Sequence, residues 1–105
     1  YLDNLEAIAA QAERLGARTA YLILPAPMDF EPFPPPDTVM EYREAMRQVA
    51  RRLDAPLIDG PAYFREAGAG IGWFADAVHP NAAGHALLGS AVADALGPET
   101  PPCAP

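Results

Sequence analysis

The sequence predicts an α/β protein with parallel strands, on three observations. Stretches of helical periodicity alternate with short apolar runs that lack the in-out alternation of a half-exposed strand. Each apolar run stops at a proline or a Gly-Pro step. The order is helix, strand, helix, strand, helix, and strands separated by helices pair in parallel. Two strands are too few for a sheet buried on both faces, so the pattern reads as the back part of a doubly wound domain.

The first helix is expected from Asp3 to Leu15, where Leu5, Ile8, Ala9, Ala12 and Leu15 recur at helical spacing. Asp3 or Asn4 is its N-cap and Gly16 its stop. Thr19 to Leu24 forms the first strand, closed by Pro25-Ala26-Pro27. Pro25 to Pro36 holds six of the chain's 13 prolines, with Phe30 and Phe33, and reads as an ordered loop without regular structure. Met28, Phe30 and Phe33 either flank a substrate entrance or fold over the sheet.

Thr38 and Glu41 suggest a capping box for a second helix, in which Val39, Tyr42, Ala45, Met46, Val49 and Leu53 keep helical spacing to Asp54. Arg43 and Arg47 are expected to face solvent there, near Glu44. Pro56 to Gly60 is the second strand, and Asp59 at its end is expected to cap the following turn. A short helix follows from Ala62 to Ala67, then a turn from Gly68 to Gly72 whose glycine spacing does not fit a phosphate-binding loop. Asn81 is placed to cap a last helix from Ala82 to Leu96, ended by Gly97-Pro98. The domain therefore runs over 1–97, with 98–105 a Pro-rich tail or linker that is expected to be disordered.

Composition narrows the partners. Half of the residues are hydrophobic, so the chain should fold although Asp plus Glu number 14 against 7 Lys plus Arg. A net charge of -7 repels phosphate backbones, so no nucleic acid partner is expected. The apolar runs are far shorter than the ~20 residues that span a bilayer, and the first residues carry no basic targeting segment. The single cysteine, Cys103, excludes a disulfide framework and a thiolate zinc set, and leaves the compartment open.

The chemistry lies in Asp76-Ala77-Val78-His79-Pro80-Asn81. Asp-x-x-His on a loop braced by proline and a helix start brings a carboxylate to one ring nitrogen of an imidazole, leaving the other free to act as a base. That is two thirds of a serine-type triad. A bare Asp-x-x-His is more often a structural loop pair; the surrounding residues decide otherwise here. Trp73 and Phe74, just before the loop, either line a substrate pocket or belong to the core.

The segment from Phe74 to Leu88, aromatic-x-Asp-x-x-His-Pro-Asn with Gly84 three residues on and Leu87-Leu88 in a helix, resembles the last block of the SGNH/GDSL hydrolases. Tyr21 to Pro25, Tyr42-Arg43 and Leu57-Ile58-Asp59 agree more loosely. The resemblance implies the C-terminal portion of a flavodoxin-like three-layer α/β/α sandwich and an esterase or lipase acting on a small-molecule or acylated ester without a cofactor. It assigns His79 as general base and Asp76 as the residue that orients it.

The family's Gly-Asp-Ser nucleophile segment and Gly-x-Asn-Asp block are absent from this sequence. Ser90 is the only serine, nine residues beyond Asn81 on the last helix, hence about 13 Å along its axis from the loop. Neither it nor Cys103 is placed to be the nucleophile. The Ser-bearing half is therefore expected to precede Tyr1 or to sit on another chain, and the sheet edge left open is expected to bind that half or to self-associate. A metal held by Asp76, His79 and His85 would need a further ligand, and His85, six residues past His79, points elsewhere; no metal is expected. The rival readings are a non-catalytic α/β interaction module on the same scaffold and an unrelated flavodoxin-like binder such as a receiver domain. The latter is weakened by the absence of acidic residues at early strand ends.

Overall fold

The computed structural model describes residues 2–32 and 35–97; the expected tail over 98–105, with Cys103, and the loop residue Phe33 lie outside them. The elements are α1 (Leu2–Arg14), β1 (Tyr21–Ile23), a 3-10 turn (Pro27–Phe30), α2 (Asp37–Leu53), β2 (Leu57–Asp59), α3 (Gly60–Glu66), a second 3-10 turn (Ile71–Trp73) and α4 (Ala82–Leu96). The strands pair in parallel with Tyr21 opposite Leu57, Leu22 opposite Ile58 and Ile23 opposite Asp59. This is the α/β class expected, with a two-stranded sheet among the described residues.

Strand alternation sorts the helices. Tyr21 and Val49 are buried together with Ala50, and Leu2, Leu5, Met46, Ala55 and Leu57 pack against them. Tyr21, Ile23, Leu57 and Asp59 thus face α1 and α2, and the Arg47–Asp59 ion pair at 3.6 Å lies on that same side. Leu22 and Ile58 turn the other way, toward α3 and α4, which contact each other and the strands. Gly60 allows α3 to start hard against β1: a Cβ there would run into the Ile23 carbonyl and the Pro25 ring.

Several boundaries differ from expectation for local reasons. α1 begins at Leu2, so Asp3 and Asn4 lie inside its first turn, where an acidic Asp3 still suits the positive end of the helix. Its C-terminus is as expected: Gly16 is left-handed, the Ala17 N–H donates to the Ala12 carbonyl at 2.9 Å, and the Gly16 N–H to that of Glu13 at 3.0 Å. The Thr38–Glu41 capping box does not form. Pro36, with φ -55° and ψ 148°, sits at the N-cap without a side-chain bond, and the helix starts one residue before Thr38.

The Pro25–Pro36 loop is also more regular than expected. Its 3-10 turn is nucleated by Asp29, whose carboxylate accepts from the Ala26 N–H at 2.8 Å while its own N–H donates to the Ala26 carbonyl at 2.9 Å. Gly60-Pro61 closes β2 as predicted and also supplies the first residues of α3, earlier than Ala62; Asp59 caps that helix through the Ala62 N–H at 3.1 Å.

Arg43 departs furthest from expectation. It does not face solvent: its side chain is 10% exposed and forks onto Asp29, which is 0% exposed, at 2.6 and 3.0 Å. α2 turns Arg43, Met46, Val49 and Ala50 inward and leaves Tyr42 half exposed.

Candidate active site

The Asp76–His79 loop is a closed ring of backbone. Phe74 and Pro80 form an antiparallel bridge, with the Ala75 N–H donating to the His79 carbonyl at 2.8 Å and the Asn81 N–H to the Trp73 carbonyl at 3.0 Å. Asn81 then locks the ring to α4. Its Oδ1 accepts from the Gly84 N–H at 3.0 Å, and its Nδ2 donates to the Gly72 carbonyl at 2.9 Å. The N-cap was legible in the sequence; the second bond, back to the preceding turn, was not.

Gly84 is part of the same construction. A Cβ on it would collide with the Trp73 carbonyl and with Pro80, so only glycine lets the first turn of α4 press against both ends of the ring.

Inside the ring, one carboxylate organises everything. Asp76 Oδ1 accepts from the backbone N–H of Val78 at 2.8 Å and of His79 at 2.7 Å. His79 Nδ1 lies 2.8 Å from Oδ2 and 3.0 Å from Oδ1. The Val78 N–H foremost, then the His79 ring and the His79 N–H, hold the Asp76 carboxyl below the usual carboxylate range. An ionised carboxylate can only accept, so the bond places the ring proton on Nδ1 and leaves the Nε2 lone pair of the neutral imidazole free. Both side chains are open, 69% exposed for His79 and 56% for Asp76.

The ring lies beyond the carboxyl end of β1. Val78 shares a groove of about 470 Å³ with Leu22 to Ala26, Met28 and the Tyr42–Arg43 flank of α2. Phe74 packs its ring 5.8 Å from fully buried Phe64 and 5.9 Å from Phe30, so it is tied into the interior, while Trp73 is half-buried. Asp59 is an N-cap paired with Arg47, and His85 is exposed on α4. Ser90 donates to the Ala86 carbonyl at 3.2 Å, along its own helix. No three His, Cys, Asp or Glu side chains converge among the described residues, and no described helix is long and apolar enough to cross a membrane.

Open parallel α/β sheets bind their ligands beyond the carboxyl ends of the strands, which is where this oriented imidazole lies. The chain belongs to the GDSL-like Lipase/Acylhydrolase family: that family's model matches residues 1–87, which take in both strands, the ring and the start of α4. Membership supports a hydrolase of that kind. No curated protein and no solved structure matches the chain.

Proposed function

We propose that this chain supplies the base and its orienting carboxylate, His79 and Asp76, to a serine esterase or lipase of the GDSL type whose nucleophile and oxyanion donors lie outside this sequence. The observation that carries the reading is the two-point hold of Asp76 on the His79 ring and on two backbone N–H groups, which fixes the tautomer with Nε2 free. In acyl transfer, Nε2 takes the proton of the serine hydroxyl as it attacks the ester carbonyl and returns it to the leaving alcohol; water then repeats the sequence on the acyl-enzyme. Imidazolium forms in each half, and the adjacent Asp76 carboxylate stabilises it.

The openness of the pair fits a site built in two parts. Exposed charges are screened by water, and the electrostatic advantage of a preorganised site needs water excluded. The remaining portion of a flavodoxin-like three-layer sandwich, docked along the edge of β1 that no strand pairs among the described residues, would cover His79 and bring the serine, while Trp73 would border the ester. Phe74 would act only by holding the ring in place.

Hydrolysis of p-nitrophenyl acetate tests this directly. The 105-residue chain should not exceed background. In the protein that carries the upstream Gly-Asp-Ser, His79→Ala should lower kcat by about 10³-fold or more and Asp76→Asn by a comparable factor, with little change in KM. Turnover by this chain that His79→Ala abolishes and Ser90→Ala spares would sink the account of the nucleophile. An intact reading frame without any upstream serine block would favour the non-catalytic module.

A further inference from the structure

We infer that Arg43 and Asp29 are positioning residues for the Asp76–His79 ring, holding in place the turn and helix that pack beside it. The inference rests on the proposed role of His79, and goes beyond it by naming what keeps the imidazole in place.

The pair is a three-way clamp. The Arg43 guanidinium meets Asp29 through both oxygens, at 2.6 and 3.0 Å, and its Nη2 also donates to the Leu24 carbonyl at 3.2 Å. Asp29 accepts from the Ala26 N–H at 2.8 Å. One planar fork therefore joins α2, the exit of β1 and the 3-10 turn, a geometry that a lysine ammonium cannot reproduce.

The clamp reaches the ring by packing. Asp29 is followed by Phe30, whose ring lies 5.9 Å from Phe74, the residue that opens the catalytic ring and bridges to Pro80. Phe64, with no exposed surface, backs both rings at 6.4 and 5.8 Å. Leu24, Met28 and Arg43 also line one groove with Val78, whose N–H is one of the bonds that hold Asp76. A buried ion pair adds little net stability over apolar packing of the same shape, so a clamp of this kind is explained better by the geometry it imposes than by the energy it adds.

Nitrogen-15 spectra of His79 and amide exchange of Val78 and His79, measured on this chain, test the inference without any ester. The unaltered chain should give the Nδ1–H tautomer. Arg43→Lys and Asp29→Asn should each give a tautomer mixture and exchange at least about tenfold faster at both amides. Val49→Ala, which removes buried core packing further along α2, should lower the melting temperature yet leave both signals as they were. The double variant Arg43→Met with Asp29→Leu keeps the volume apolar and folded; it should loosen His79 all the same, because the Leu24 carbonyl and Ala26 N–H lose their partners.

An unchanged tautomer in Arg43→Lys or in the double variant would overturn the inference, as would a change in Val49→Ala scaling with its loss of stability. Failure of the esterase reading would show instead in the full enzyme, as turnover indifferent to His79→Ala, and leaves these spectra untouched.

Discussion

Asp76 is the residue on which the site turns, and its titration separates two causes. Its carboxyl is held low first by the Val78 N–H, then by the His79 ring and N–H. A carboxylate whose native value is depressed contributes stability above the ordinary value of about 4, and that contribution is lost as pH falls through the lower native value. The ring should therefore stay ordered at pH 5 and come apart only in more acidic solution. In His79→Ala the imidazole is gone but both N–H bonds remain, so the Asp76 carboxyl should still titrate below an ordinary aspartate. Carbon-13 titration of the side chain measures this; a return to the ordinary value would mean that the ring, rather than the backbone, governs the loop.

At the scale of elements, the ring depends on the first turn of α4. Asn81→Ala removes both a cap and the bond to the Gly72 carbonyl, and should cost about 1–2 kcal/mol, toward the upper end of a plain cap loss. Gly84→Ala forces a methyl into the Trp73 carbonyl and Pro80, and should cost about 1–3 kcal/mol while shifting His79. Urea unfolding of each variant gives the magnitude; a neutral Gly84→Ala would mean that the turn can move away freely.

These elements also divide what the sequence reveals from what it hides. Asn81 and Asp59 were legible because a cap bonds to a backbone N–H three residues on, and Asp76 and His79 because the pair is itself local. Arg43 was not: its partner lies 14 residues away across a proline loop, and only the path of that loop makes an inward arginine affordable. Thr38 failed as a cap for the opposite reason, since Pro36 preset the extended entry to α2 one residue earlier. The second bond of Asn81 and the close approach at Gly84 needed the packed structure too.

The described residues together form a thin slab, with extents of 42 × 35 × 20 Å and a radius of gyration of 14.9 Å against about 13 Å for a compact domain of 100 residues. Large apolar side chains remain in water: Leu24 is 63% exposed and Val78 64%, both lining the groove, and Met40 and Tyr42 on α2 and Ile8 and Leu15 at α1 and its end are exposed too. A strand edge beside such a surface recruits other strands. The isolated chain should bind a hydrophobic dye and self-associate as concentration rises. Leu24→Glu puts a charge at the mouth of the groove on a side chain already mostly in water, so it should reduce both effects while changing stability by no more than about 0.5 kcal/mol. Sedimentation of the two chains side by side decides the matter: a dye-silent monomer that melts sharply without the substitution would mean that the β1 edge is not a docking surface, and the two-part site would lose its physical basis.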